Sequence, residues 1–204
     1  MRADELSAEL ESIYFGGGSP SLLSPKSVEH LNNVVIKKFK SHENIEITIE
    51  VNPDDVSYDY LKALKSAGIN RLSIGIQSFS DAELRLMNRI HNADQGIKTL
   101  DWTAQLFNNF SLDLIYGTPS SDLSSWKNNL NQALSFDVPH LSSYALTVEP
   151  KTVLAHQVKN KEVQLPDDEW VKIQYDWMVD TMEEAGYENY EFSNFSKPGF
   201  NAVN

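Results

Sequence analysis

A glycine triplet near the start of the chain is the first feature whose residue types could bind a ligand. Gly16, Gly17 and Gly18 follow a short β-rich run and precede Ser19-Pro20. Glycines let backbone N–H groups approach a ligand where any Cβ atom would collide. Such a turn can hold an anion or present carbonyl groups to an ammonium. Taken alone, the triplet is equally consistent with a tight turn between a strand and a helix.

Polar side chains in the later β-rich runs offer a second set of candidate ligand contacts. Glu50, Gln77 and Asp113 each lie in or at the end of such a run. Carboxylates can accept hydrogen bonds from ribose hydroxyls or an ammonium, and an amide both donates and accepts. Arg89 could form paired hydrogen bonds with a ligand carboxylate, or could simply be a surface arginine near a helix end. A nucleoside that carries an amino acid would use all of these groups together.

The elements that must position these residues alternate between strands and helices, which predicts βα units and a parallel sheet. The predicted strands cover residues 12–16, 45–51, 71–77, 111–117 and 141–147. Helical patterns begin near Ser24, Ser57, Ser80, Ala93, Asp122 and Asp167. Ser80 and Glu83 have the spacing of a capping box, in which each side chain bonds to the other's backbone N–H. The run 187–195 is predicted to be an extended tail.

The alternation within the strands favours a barrel over a flat sheet. Glu46, Thr48 and Glu50 alternate with apolar residues, so one face can pack on helices while the other carries small or polar groups. Strands of an open doubly wound sheet are usually apolar on both faces, and a closed eight-stranded barrel is filled with bulky branched side chains. The pattern therefore predicts a wide, incompletely closed α/β barrel with a ligand inside. The alternative is a water-filled barrel mouth without a specific ligand.

The length and charge of the chain limit its function further. Its 204 residues suit one domain, and its net charge of -12 makes nucleic acid and anionic lipid poor partners. No apolar run approaches the ~18–20 residues that a membrane span needs, and the N-terminus does not resemble a secretory signal. We therefore predict a cytoplasmic protein with no transmembrane segment.

The chain contains no cysteine and five histidines. The absence of cysteine excludes disulfides, thiolate nucleophiles and cysteine-ligated iron–sulfur clusters in this chain. No two histidines have the spacing of a metal site, so we predict no metal ligand, although His91 could help to shape a pocket. No catalytic residue is predicted either.

Several motifs occur in the order and at the spacing of a known family. They are residues 12–23 (SIYFGGGSPSLL), 47–53 (ITIEVNP), 71–79 (RLSIGIQSF), 87–89 (MNR) and 113–119 (DLIYGTP). Together they resemble the oxygen-independent coproporphyrinogen III oxidase family of the radical S-adenosylmethionine (SAM) superfamily. Residues 139–150 and 190–200 resemble its heme-chaperone (HemW-like) branch in particular. The resemblance covers roughly residues 12 to 200, and the ordered combination is more specific than any single motif.

The resemblance implies a fold and a binding site. The fold would be a partial TIM-like radical SAM barrel of the (β/α)6 type with the first strand missing. Residues 1–165 would form this partial barrel, and residues 166–204 the final helix and the start of a C-terminal, family-specific region. The implied SAM contacts are Gly17, Gly18, Ser19, Glu50, Gln77, Arg89, Asp113 and Ala145. Ser19 and Ala145 follow from the resemblance alone, with Ala145 beside the adenine.

The main departure from the family is the absence of its Cys-x3-Cys-x2-Cys motif, which holds the [4Fe–4S] cluster that cleaves SAM. We therefore expect this chain to bind SAM but to be inactive in radical chemistry. The resemblance also suggests truncation at both ends. Residues 1–11 would match the end of the helix that follows the missing strand, and the chain would stop where a heme-linked segment begins.

Three functions remain open at this stage. The first is the SAM-binding barrel of a heme-chaperone-like protein, whose complete form would bind a cluster and heme or a porphyrin and deliver heme to an acceptor protein. The second is an oxygen-independent coproporphyrinogen III oxidase, which converts propionates to vinyl groups. The third is a non-radical barrel, such as an aldolase or isomerase, that holds a phosphate in the glycine turn. This third class needs a lysine or histidine at a strand end, which the predicted strands do not provide.

Overall fold

The computed structural model describes residues 9–119 and 121–204, which form one seven-stranded sheet of order β1-β2-β3-β4-β5-β7-β6. The strands are β1 Leu10–Phe15, β2 Ser41–Val51, β3 Arg71–Gln77, β4 Phe110–Tyr116, β5 His140–Ala145, β6 Glu188–Glu191 and β7 Asn194–Ser196. Strands β1 to β5 are parallel, whereas β7 pairs antiparallel with both β5 and β6. The five parallel strands expected from the sequence are thus confirmed.

Seven α-helices accompany the strands in the described part of the chain. They are α1 Pro25–Lys38, α2 Tyr58–Ser66, α3 Asp81–Leu86, α4 Ala93–Leu106, α5 Leu123–Ser135, α6 Val153–Lys159 and α7 Asp168–Glu184. Five of the predicted starts are capped by a side chain that accepts a backbone N–H of the first turn, which satisfies one of the helix's unpaired donors: Ser24, Ser57, Asn92, Asp122 and Asp167.

The capping box at the start of α3 is a wrong prediction. Within the described residues, the Ser80 side chain makes no capping bond, and Glu83 is buried instead of reaching back to the backbone of residue 80. The Ser80 N–H donates to Ser78 Oγ at 2.9 Å. Glu83 therefore has other partners inside the protein.

The sheet curls into a partial barrel, as the alternation predicted. On β2, Ile47, Ile49 and Val51 belong to the apolar core that the helices cover. The opposite, concave face encloses a cavity of about 160 Å³. Tyr14 of β1 and Asn194 of β7 both line this cavity although their strands lie five positions apart in the sheet, which requires strong curvature. The α/β partial barrel is confirmed.

The extended tail predicted for residues 187–195 is instead the β6–β7 hairpin, paired to the edge of β5. Strands of three and four residues are too short to show a hydrophobic period, so the sequence did not reveal their pairing. Beyond the hairpin, the Val203 N–H donates to Glu46 Oε1 at 3.2 Å. The last residues thereby cover part of the concave face.

Two strands begin earlier than expected. Strand β1 includes Leu10 and Glu11, which the resemblance had assigned to a helix end, whereas residues 1–8 of that assignment lie outside the described residues. Strand β2 begins at Ser41, so His42 belongs to a strand and not to a loop. Among the described residues, no helix has the length and apolarity needed to cross a membrane.

Candidate functional site

The glycine turn is fastened to the end of β2 by Glu50. The carboxylate of Glu50 accepts a hydrogen bond from the Tyr14 hydroxyl at 2.9 Å and another from the Gly17 N–H at 3.1 Å. A Cβ atom at Gly16 would lie 2.6 Å from a ring carbon of Tyr14, so a side chain there would displace the tyrosine. Glu50 thus joins strand β2 to the turn that follows β1.

The turn itself is open to a ligand. Gly17 and Gly18 have φ values of 78° and 65°, a region that glycine adopts without strain. No described atom lies within 4 Å of where a Cβ would stand at either residue. A cleft of about 250 Å³ borders Gly16, Gly17 and Ser19, and the Ser19 residue is exposed. The turn therefore presents accessible backbone beside an unfilled cleft.

Asp113 points from β4 into the 160 Å³ cavity on the concave face, which Glu50 also lines. The Ser73 hydroxyl donates to Asp113 Oδ2 at 3.4 Å. Burial raises the pKa of the Asp113 carboxyl to about 6, while Ser142, Arg71 and Ser73 partly oppose this increase. Asp113 can therefore accept hydrogen bonds as a carboxylate above neutral pH and holds a proton in mild acid.

The side chains of Gln77 and Arg89 both lie next to Asn52, near the end of β3. A Cβ at Gly75 would lie 3.0 Å from Gln77 Nε2 and 3.4 Å from Asn52 Oδ1, which places these two side chains together over the glycine. Arg89 Nη1 donates to Asn52 Oδ1 at 3.5 Å. Burial lowers the pKa of the Arg89 guanidinium, but arginine remains charged at neutral pH. The group thus combines a cation with two amides.

A larger cavity of about 620 Å³ lies beside Arg89 and extends along Ile115, Leu146 and Thr147. Its volume is within the range of about 300–1,000 Å³ that small-molecule sites occupy. Ala145 is the last residue of β5 and is exposed, and its strand position faces the helix side and not the concave side. Its neighbours Tyr144 and Leu146 line the smaller and the larger cavity respectively, so Ala145 lies between the two.

Four polar residues on the concave side of the sheet form two pairs that the sequence did not predict. Arg71 is buried with its Nε 3.8 Å from Glu46 Oε2, and His140 Nε2 lies 2.6 Å from the Tyr190 hydroxyl. Burial lowers the pKa of His140 to about 3, so its ring is neutral. The two-residue period that leads back from Gln77 reaches Arg71 and could have identified it. Tyr190 gives no such signal because its strand is so short.

Three other histidines lie on different elements of the structure. His91 is buried, and its Nε2 lies 3.1 Å from the Ile76 carbonyl oxygen, directly before Gln77. Burial lowers the pKa of His91, while Asp54 partly opposes this decrease. His30 and His156 are exposed on α1 and α6. Within the described residues, no group of three or more histidines and carboxylates could hold a metal ion.

A further cavity of about 630 Å³ lies at the start of α7, next to Pro119 and Trp170. It is lined by none of the predicted SAM contacts. The chemistry of the molecule is instead concentrated at the carboxyl ends of β1 to β5, the edge at which barrel proteins bind their ligands.

Comparison with known sequences identifies the class of protein. Residues 1–133 match the radical SAM superfamily, and the chain therefore belongs to that superfamily. The chain is 37% identical over 193 residues to the heme chaperone HemW of Bacillus subtilis, covering 94% of this chain and 51% of that protein. It is 38% identical over 191 residues to the mitochondrial radical S-adenosyl methionine domain-containing protein 1 of Mus musculus, covering 93% and 43%. The chain thus spans about half the length of these relatives.

Comparison with solved structures supports the same fold. The coproporphyrinogen III oxidase HemN of Escherichia coli, a radical SAM enzyme, aligns with a TM-score of 0.81 at 26% identity over 94% of this chain and 44% of that one. The archaeal Elp3 of Methanocaldococcus infernus aligns with a TM-score of 0.64 at 16% identity, which shows similarity of fold alone. The partial radical SAM barrel and the resemblance to the heme-chaperone branch are both confirmed.

The superfamily implies two cofactors, and the residues fit one of them. The open glycine turn, the inward carboxylates and the Arg89 group offer the donors and acceptors that SAM requires. The [4Fe–4S] cluster does not fit, because such clusters are held by cysteine thiolates and these 204 residues include no cysteine. No reaction step of this chain can therefore run through a cluster of its own.

Proposed function

We propose that this chain forms the SAM-binding part of a radical SAM protein of the heme-chaperone type. Three observations at one edge of the sheet carry the proposal: Glu50 and Asp113 line the same cavity, Glu50 binds the glycine turn, and Gln77 and Arg89 both lie next to Asn52. The names of the most similar relatives point to heme, and that part of the proposal rests on similarity.

Each site residue has a proposed role that suits its position. Gly17, Gly18 and Ser19 line the methionyl end of SAM, where Arg89 pairs with the carboxylate. Glu50 uses two of its roughly four acceptor positions for Tyr14 and Gly17, which leaves others for the ammonium or a ribose hydroxyl. Asp113 and Gln77 supply further polar contacts, and the adenine lies beside Ala145, at the end of β5 between the two cavities.

The remaining expectations are proposals of the same kind. When bound to a reduced cluster, SAM supplies a 5′-deoxyadenosyl radical, but we propose that this chain binds SAM without radical chemistry. Heme or a porphyrin and a heme-acceptor protein are the proposed partners of the complete protein. We retain the division at residue 165 and the cytoplasmic location as predictions, since mitochondrial proteins are also among the relatives.

Isothermal titration calorimetry tests the SAM site directly. The chain is titrated with SAM and, in parallel, with a sugar phosphate, which the non-radical barrel alternative would bind. We expect SAM to bind and the sugar phosphate not to bind. Arg89→Met should weaken SAM binding by about tenfold, because a charged hydrogen bond contributes about 1.5–3 kcal/mol. Preference for the sugar phosphate would contradict the proposal.

A chimera tests the connection to heme. This chain replaces the matching half of the Bacillus subtilis relative, so that the relative supplies the remainder. We expect the chimera to bind heme and to transfer it to an acceptor protein, measured by absorbance and by retention on the acceptor. SAM binding serves as the control for correct folding. Intact SAM binding without any heme binding would contradict the heme proposal but not the SAM site.

The structural similarity to the Escherichia coli enzyme supports one second candidate, coproporphyrinogen III oxidation. The same chimera distinguishes the two functions. Conversion of propionates to vinyl groups, measured by mass spectrometry after anaerobic reduction, would favour the oxidase. Heme transfer without vinyl formation would favour the chaperone.

A further inference from the structure

The backbone at the end of β3 is held in a strained turn. Gln77 has a φ of 68°, and the Ser78 N–H donates to the Ile76 carbonyl oxygen at 2.8 Å. A bond between residues two apart across a positive φ defines the rare form of the γ-turn, which is strained for any residue with a side chain. Such strain persists only where the surroundings hold the backbone in place, and it is most common at functional sites.

A buried carboxylate and a buried amide hold the two residues that follow Gln77. Glu83 accepts a hydrogen bond from Ser78 Oγ at 2.5 Å and another from Asn129 Nδ2 at 2.9 Å. The Asn129 side-chain oxygen in turn accepts the Phe79 N–H at 2.7 Å. Helices α3 and α5 thus both fasten the segment immediately after the strained residue.

The Glu83 carboxylate lies in an unusual environment. It is 2% exposed, and within the described residues no lysine, arginine or histidine lies within ion-pair distance of it. Its partners are neutral donors: Ser78, Asn129 and, at 3.4 Å, the Ser125 hydroxyl. Burying a carboxyl group without a counter-charge is costly. Within the described residues, Glu83 does not have the helix-capping role that the sequence suggested, so capping does not explain its burial. The three hydrogen bonds satisfy the buried carboxyl group of Glu83 and connect it to the segment that follows Gln77.

The strained turn determines where the Gln77 side chain lies. Its Nε2 lies above Gly75 near Asn52, and Asn52 accepts a hydrogen bond from Arg89. The direction of a Cβ atom follows from the backbone dihedrals, so a relaxed φ at Gln77 would turn its amide away from this group. The hydrogen bonds of Glu83 and Asn129 therefore act on the site through Gln77.

We infer that Glu83 and Asn129 are positioning residues that hold Gln77 in its γ-turn and so direct its amide into the SAM site. The inference rests on the proposed SAM binding for its functional consequence. The mechanical part, that this pair maintains the turn, can be tested without any ligand.

Amide hydrogen exchange of the free chain tests the mechanical part. In Glu83→Gln and in Asn129→Ala, the Ser78 and Phe79 amides should exchange about tenfold faster than in the parent chain. Asn129→Ala removes the acceptor of the Phe79 N–H, and Glu83→Gln replaces one oxygen of the carboxylate that holds Ser78 and Asn129 with an NH2 group. Exposed residues provide matched controls, Glu29→Gln on α1 and Asn128→Ala on α5, and these should leave both amides unchanged. If the Glu83 and Asn129 variants also leave them unchanged, the inference is wrong. Ser78→Ala replaces any variant that fails to fold.

A double-mutant cycle on SAM affinity tests the functional part. Glu83→Gln should raise the Kd for SAM by about tenfold in the parent chain and by less than about twofold in a Gln77→Ala background. An equal increase in both backgrounds, or no increase in either, would overturn the inference. A parent chain that fails to bind SAM would contradict the proposed function itself, and the exchange experiment would still decide whether the pair holds the turn.

Discussion

At the scale of single residues, the site is defined by side chains whose conformation or charge is costly to the fold. Gln77 has a positive φ without being glycine, and Asp113 is a carboxyl whose pKa burial raises to about 6. Strained backbone and perturbed carboxyl groups are concentrated at functional sites. Substitution of either residue should therefore change the stability of the fold in a way that can be measured separately from SAM binding.

Gln77→Gly should stabilise the fold while weakening SAM binding. Glycine accepts a positive φ without strain, so the free energy of unfolding should rise by about 1 kcal/mol in urea denaturation. Gln77→Ala is the control, because it removes the same amide but keeps the strain, and it should not stabilise the chain. If the glycine variant proves less stable than the alanine variant, the turn is not strained.

Asp113→Asn should change how stability depends on pH. The pKa of Asp113 is raised in the folded state to about 6 from 3.8, so its contribution to stability is fully present below pH 3.8 and is lost as pH rises through 6. The stability of the asparagine variant relative to the parent should therefore increase by about 2 kcal/mol between pH 4 and pH 7. Urea denaturation at both pH values measures this difference. Asp101→Asn, on the exposed surface of α4, should show no such change.

At the scale of elements, the parallel strands were predictable and the antiparallel hairpin was not. Strands β3 and β4, and β2 from Ile45 onward, alternate apolar and polar residues, which predicted these strands and the face that turns inward. Strands β6 and β7 have too few residues to show a period. The γ-turn escaped prediction because no glycine marks the positive φ at Gln77. The spacing of Ser80 and Glu83 led to the wrong prediction of a capping box, because Glu83 instead accepts hydrogen bonds from Ser78 and Asn129.

The hairpin is attached to the sheet by the pair of Tyr190 and His140. The Ala202 N–H donates to the Tyr190 oxygen at 3.3 Å, which leaves the hydroxyl proton for His140 Nε2. A neutral imidazole that accepts this proton at Nε2 carries its own proton on Nδ1, an atom without a hydrogen-bond partner among the described residues. This arrangement agrees with the neutral state that burial imposes on His140.

Tyr190→Phe should destabilise the chain by about 2 kcal/mol, because it leaves a buried ring nitrogen without its partner. Thermal and urea denaturation measure the loss. The matched control is Tyr58→Phe, at the partly exposed start of α2, which should cost less than about 0.5 kcal/mol. Equal stability of the two variants would show that the hairpin is attached by other contacts.

At the scale of the whole molecule, charge favours a cationic ligand. The chain has a net charge of -12. Among the described residues that line the concave cavity, Glu50, Asp113 and Glu191 are acidic, and Arg71 is the one lysine or arginine. Such a surface attracts the sulfonium and ammonium groups of SAM and repels phosphates. The composition alone predicted the negative charge of the molecule. The inward placement of Arg71, and the position of Ala145 between residues that line the two cavities, required the structure.

A crystal structure of the chain with bound SAM tests the central claim most directly. We predict the methionyl group beside Gly17 and Ser19, within reach of Arg89, and the adenine next to Ala145. The carboxylates of Glu50 and Asp113 should both face the ligand. SAM bound instead in the cavity next to Pro119 and Trp170, with the concave face empty, would contradict this account.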